Sequence, residues 1–86
     1  MNAYLVEFVG TLFFIFVIIS TYNPLAIGAA LAIAIFYGSS ISGGHFNPAV
    51  SIIMTLNGKL SKNHLLPYIL AQITGGVCAF ELLKVI

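Results

Sequence analysis

Hydrophobic positions in this chain come in long runs rather than in the narrow stripes of a soluble helix, and polar positions collect in a few tight groups. The first run opens Met1-Asn2-Ala3-Tyr4, passes one acid, Glu7, and continues through Thr11-Leu12-Phe13-Phe14-Ile15-Phe16-Val17-Ile18-Ile19. A helix needs about 20 residues to cross a hydrocarbon core of about 30 Å, so the run predicts a membrane span over about residues 3–22. It lacks the basic start and the A-x-A cleavage pattern of a secretory signal and is expected to stay uncleaved. Tyr22-Asn23-Pro24 interrupts it, because proline cannot continue one helix but fits the first turn of the next. A second span is predicted over about residues 25–40. Along it Ala26, Ala30, Ala34 and Gly38 recur every four residues, a stripe of small side chains where a neighbouring helix can approach closely. An alanine-rich helix with no special partner is the plainer reading of the same stripe.

Gly38-Ser39-Ser40-Ile41-Ser42-Gly43-Gly44-His45-Phe46 follows, polar and glycine-rich yet without a charge. A loop in water ordinarily recruits Lys, Glu or Asp, whereas a loop at membrane depth avoids full charges and satisfies its backbone against protein or a cavity. Asn47-Pro48 then reads as a helix start, Asn as the cap and Pro at the first helical position. Asn57-Gly58 reads as its end. The segment Pro48 to Leu56 rises about 13 Å, close to half of the bilayer core. With Lys59 and Lys62 beyond its C-terminal end, this half-helix is predicted to re-enter the membrane with its N-terminus near the midplane. Loop and half-helix together cover about residues 41–57. Its unpaired N–H groups and positive dipole end need a polar passage or protein in front of them. A last span is predicted over about residues 63–84, with Pro67 in a tolerant first turn and Ala71, Gly75 and Ala79 as a second small-residue stripe. The expected fold class is an all-α membrane protein, three transmembrane helices plus one re-entrant half-helix, in a single unit covering residues 1–86.

Composition narrows the functions open to such a chain. Hydrophobic residues make up 60% and charged residues 6%, against about 25% charged in a soluble domain, so the chain is expected to be an integral, multi-pass membrane protein. Cys78 is the one cysteine, which excludes an internal disulfide. A net charge of +1 with no arginine offers no basic cluster for nucleic acid or a polybasic lipid anchor. A metal site built on His45 and His64 has no acidic or thiol support at suitable spacing, and no cofactor is expected. Ser42 and His45 are close neighbours in one loop, no Asp exists to orient the histidine, and G-x-S-x-G is absent, so an enzyme is not expected.

Ser42-Gly43-Gly44-His45-Phe46-Asn47-Pro48-Ala49-Val50-Ser51 resembles the re-entrant loop of the first repeat of the aquaporin, or major intrinsic protein, family. Glu7-Phe8-Val9-Gly10-Thr11 is similar to the family's opening helix motif, and Ala71-Gln72-Ile73-Thr74-Gly75-Gly76 to its third helix. The resemblance covers nearly the whole chain. It implies a channel for water or small neutral solutes such as glycerol, in which Asn47 presents an amide N–H at the midplane and Pro48 and Ala49 keep two half-helices in contact. Carbonyls of Gly43, Gly44, His45 and Phe46 would form a ladder of acceptors, with the two glycines allowing that backbone. Glu7 and Gln72 would hold the loop in shape, although an acid this close to the chain start could instead merely reach interfacial water. His45 would line the pore mouth; a pH gate is the alternative, resting only on its ordinary pKa range.

Two departures from the family pattern carry consequences. Family members hold two repeats of opposite orientation in one chain, and this sequence has one. The second-repeat motif continues with an arginine that narrows the filter, where Val50 stands here. Ile27 falls where the resemblance places a filter aromatic, so a wider and less polar constriction is expected. Pro24-Leu25-Ala26-Ile27-Gly28 reads like the start of the family's fifth helix, although the loop that follows is first-repeat in type. A single repeat cannot enclose a pore, and the expected partner is a second, antiparallel copy or another aquaporin-like chain. Lys59 and Lys62 on one side against Lys84 on the other give a shallow orientation bias, compatible with insertion both ways. The alternative is a non-conducting membrane protein that pairs with a full-length aquaporin and modulates it.

Overall fold

A computed structural model describes residues 1–86 as four helices, α1 (Ala3–Thr21), α2 (Pro24–Ser42), α3 (Pro48–Leu56) and α4 (Lys62–Val85). Three of them, α1, α2 and α4, are long and apolar enough to cross a membrane, and α3 is the short one. Each start is fixed by a polar side chain. Asn2 caps α1 by accepting from the Leu5 N–H, and Asn23 caps α2 by accepting from Leu25 and Ala26. Asn47 and Ser61 cap α3 and α4 in the same way. Satisfying these N–H groups matters more in lipid than in water, since no solvent is present to take them.

The second helix runs on through Gly38-Ser39-Ser40-Ile41-Ser42, past its expected end near Ser40. Serines tolerate a helix when their hydroxyls find a partner, and Gly43, at φ 91°, supplies the left-handed stop by donating to the Ser39 carbonyl. The non-helical loop is therefore only residues 43–47. In α4 the first turn starts at Lys62, so Pro67 lies inside the helix rather than in its first turn, at the loss of one backbone hydrogen bond.

Helix α1 lies between α2 and α4, packing against both, and α3 packs on α4. Small residues let the backbones close up: a Cβ at Gly75 would lie 2.6 Å from the Phe8 carbonyl oxygen. The buried faces are Ala30, Ala34, Gly38 and Ser42 on α2, and Tyr68, Gln72, Gly75 and Ala79 on α4. Ala71 is thus displaced from the expected stripe, because the buried line of α4 passes through Gln72 one residue on. Only 15 of 86 residues are buried, and Glu7, Thr11, Ser42, His45, Ser51 and Gln72 are among them. Large apolar side chains such as Phe36, Leu66 and Ile73 point outward instead. A polar interior with an apolar exterior is stable only where the surroundings are lipid.

Candidate functional site

The site grows out of the loop between α2 and α3, whose backbone takes conformations that most side chains avoid. Gly43 and Gly44 have φ of 91° and 66°, and Phe46 has φ of 53°. Glycine adopts these values without steric penalty, but Phe46 does so at a cost of about 1–2 kcal/mol. Two features hold it there. Its N–H donates to Glu7 Oε1 at 2.7 Å, and its ring, 2% exposed, fills the space left by Gly10 on α1 and Gly38 on α2. A Cβ at Gly10 would collide with that ring, and one at Gly38 would lie 2.9 Å from it.

Glu7 is wholly buried, which removes the interfacial alternative for this acid. Its Oε2 accepts from Ser42 Oγ at 2.6 Å and from the His45 N–H at 3.0 Å. Its Oε1 accepts from the Phe46 N–H and from Gln72 Nε2 at 2.9 Å. All four bonds are accepted, the acceptor-only pattern of a carboxylate. The Gly44 N–H donates to Ser42 Oγ at 3.1 Å, so three consecutive loop N–H groups are held from behind. Gln72 Nε2 also donates to Ser51 Oγ at 2.8 Å, and Ser51 Oγ lies 2.8 Å from His45 Nδ1. Ser51 Oγ thus joins Gln72 to His45, and the histidine tautomer sets which of Ser51 and His45 donates in their bond. Tyr68 closes the rear by donating to the Ser42 carbonyl at 2.7 Å.

The front of the loop is the opposite. No hydrogen bond within the chain reaches the carbonyls of residues 43 to 46. Gly43, Gly44, His45, Asn47 and Val50 line one open cavity of about 350 Å³, bordered by apolar residues such as Leu31. Asn47 Oδ1 accepts from the Ala49 N–H at 2.8 Å, which turns the amide nitrogen away from the helix and leaves it without a partner. Pro48 takes the first helical position of α3, and Ala49 is exposed beside it. The structure therefore brings together Glu7, Gln72, Gly43, Gly44, His45, Phe46, Asn47 and Val50. Ile27 is not among them: it sits in the first turns of α2, away from the cavity of the loop.

Sequence reasoning passed over Ser51, Tyr68, Gly10 and Gly38 as site residues, and treated Ser42 only as a possible nucleophile. Ser51 had a usable signal, being one turn beyond Asn47 in a helix whose one other polar residue is Thr55. Tyr68 had none and Gly10 only its place in the opening-helix motif, because their roles depend on which helices become neighbours. A larger cavity between α1 and α2, lined by Val9, Phe13, Ile33 and Ile41, is almost wholly apolar and offers no chemistry.

Three apolar spans, a polar loop held between them and a half-helix define a polytopic, all-α membrane protein. The sequence matches the family described as Major intrinsic protein over residues 20–86. It is 40% identical to glycerol uptake facilitator protein-like 6 of Lactiplantibacillus plantarum, over 98% of this chain and 43% of that protein. It is 35% identical to aquaporin Z of Brucella melitensis, over 100% of this chain and 44% of that protein. It is 42% identical to aquaporin-8 of Mus musculus, over 95% and 36% respectively. This chain belongs to the major intrinsic protein family and is an integral membrane protein. It spans less than half the length of these relatives.

Proposed function

We propose that this chain forms half of a membrane channel for water and small neutral solutes such as glycerol, and that a second copy in inverted orientation completes the pore. The observation that carries this reading is the two-sided loop: N–H groups tied to Glu7 and Ser42 behind, four unpaired carbonyls and the Asn47 amide in front. Carbonyls that bind nothing in the protein can exchange hydrogen bonds with a passing hydroxyl at little cost, and the apolar walls keep that hydroxyl from binding tightly. The positive end of α3 at the same place disfavours protons and cations. Relatives named glycerol uptake facilitator and aquaporin agree with such a permeant. Glu7 and Gln72 hold the loop, while Gly43, Gly44, His45, Phe46, Asn47 and Val50 shape the path. Pro48 and Ala49 meet the second half. Catalysis has no place in this reading.

The pairing follows from the half-helix. Alone, α3 ends with its N-terminal donors facing lipid, which is costly, and an inverted copy would place a matching half-helix opposite it. Tyr4 Oη lies 2.6 Å from His64 Nδ1, so the start of α1 sits beside Lys62 and Lys59 on one side of the membrane. Lys84, on the other, is offset by Glu81 at 3.3 Å. The residual asymmetry is small enough for insertion both ways.

Purified chain reconstituted into liposomes and shocked osmotically should shrink or swell faster than empty vesicles. Folded, inserted protein with no such acceleration overturns the channel; co-purification with a longer relative in that case favours the non-conducting partner instead. A reporter at Ile86 found on one side only overturns the inverted homodimer.

A further inference from the structure

The support behind the loop does not end at Tyr68. A row of four rings runs from the loop to the end of the helix bundle. His45 and Tyr68 have ring centroids 5.2 Å apart, Tyr68 and Tyr4 meet edge to face at 5.9 Å, and Tyr4 and His64 lie 5.8 Å apart. Tyr4 Oη is also 2.6 Å from His64 Nδ1. His64 and Tyr68, four residues apart, share one face of α4. His64 and Tyr4 are exposed, whereas Tyr68 and His45 are buried, so the row has one accessible end and one end in the loop.

Tyr4 has two roles in this row. Its ring packs on Tyr68, whose hydroxyl holds the Ser42 carbonyl, and Ser42 Oγ in turn holds the Gly44 N–H and Glu7. An edge-to-face pair of this kind is worth about 0.5–1.5 kcal/mol. Its hydroxyl makes the one side-chain bond between the first turns of α1 and α4. The turn that carries His64 is loosely tied to the rest of α4, because Pro67 has no N–H to offer the Asn63 carbonyl.

The bond at the accessible end depends on charge. A neutral imidazole accepts at one nitrogen, and a protonated one donates from both. Histidine passes between these forms over about pH 5–8. No carboxylate stands ready for an imidazolium at His64. The Glu7 oxygens are taken by Ser42, His45, Phe46 and Gln72, and Glu81 pairs with Lys84 at the far end. The charged groups at this end are the Met1 amino group on α1, Lys59 beyond α3 and Lys62 on α4, all cations; Tyr4, Tyr68 and, further in, His45 are the other titratable neighbours.

We infer that Tyr4 and His64 form an acid-sensitive clasp on the loop. Neutral His64 accepts from Tyr4 and holds its ring on Tyr68; protonation takes that acceptor away, frees Tyr4 and loosens the loop through the Tyr68–Ser42 bond. The effect on permeation rests on the channel proposed above, but the clasp itself needs neither conduction nor a second copy.

Amide hydrogen exchange in lipid micelles tests the clasp. Exchange of the Gly44, His45 and Phe46 N–H groups, taken relative to core amides of α1 in the same sample, should rise about fivefold between about pH 8 and about pH 5. His64→Gln keeps an acceptor that does not titrate and should hold the slow value at both. His64→Lys, permanently charged, and Tyr4→Phe, which keeps the ring without the hydroxyl, should give the fast value at both. An acid response that survives in His64→Gln belongs to another group, such as His45, and overturns the clasp. So does a wild-type loop whose relative exchange ignores pH. In osmotically shocked vesicles, wild-type water flux should fall in acid while that of His64→Gln stays level. Level wild-type flux with a responding loop overturns the link from clasp to path. Vesicles that never conduct, with exchange responding as expected, overturn the channel and leave the clasp standing.

Discussion

The rear and front of residues 43–47 are a few ångströms apart and differ in nearly every respect. Behind the loop, every N–H from Gly44 to Phe46 is taken, and Glu7 alone accepts four hydrogen bonds. In front, carbonyls and the Asn47 amide are unpaired and face a cavity. The difference has a physical logic under the proposed channel. There, groups that exchange partners with passing molecules must hold their positions between exchanges, and only bonds that are never exchanged can fix them. Charge-assisted bonds to a buried carboxylate are the strong ones available, about twice as strong as neutral pairs.

The comparison breaks most visibly at Glu7. Replacing it with Leu strands four donors in an apolar interior, and stability should fall on the order of 3–5 kcal/mol, read from reversible unfolding in mixed micelles. A fall no larger than a typical surface substitution, about 0.5 kcal/mol, would show that the rear network does not hold the loop.

Next in size is Gly10→Ala, which pushes a methyl into the Phe46 ring. Overpacking of this kind costs about 1–3 kcal/mol. Combined with Phe46→Leu, the same substitution should cost markedly less, and additivity of the two in a double-mutant cycle would refute the contact.

Two glycine-to-alanine changes should then move stability in opposite directions. Gly43→Ala forces a side chain into φ 91° and should destabilise by about 1–2 kcal/mol. Gly28→Ala, inside α2 with open space around it, should stabilise by up to about 1 kcal/mol. Equal signs would mean that the loop backbone is not under the constraint described.

The smallest expected effect on stability belongs to the front. Val50→Thr should leave unfolding within about 0.5 kcal/mol yet shift the ratio of glycerol to water permeation in liposomes. An unchanged ratio in the Val50→Thr channel would remove Val50 from the path.

How far the sequence announced all this varies by residue. Asn23-Pro24 and Asn47-Pro48 each combine a capping side chain with a proline fit only for a first turn, so their helix starts were legible from two letters. The end of α2 was not. Glycines and serines from 38 to 42 look like loop until Glu7, 35 positions earlier, is seen to accept from Ser42, and until Phe46 is seen to need the bare surface of Gly38. Pro67 was misplaced for a simpler reason: with Ser61 as the cap and α4 starting at Lys62, it already lies beyond the first turn.

By itself the sequence determined the solvent, the number of spans and the presence of a half-helix, because hydropathy, chain length against bilayer thickness and helix-cap chemistry are local properties. It also carried the family resemblance, most densely in the stretch from Ser42 to Ser51. Only the tertiary structure decided which side of that stretch is held and which is free. Hydrogen-bond satisfaction joins residues as distant as Glu7 and Gln72, and two atoms, Thr11 Oγ1 and Gln72 Oε1, emerge as unmet only when every other bond in the interior has been placed.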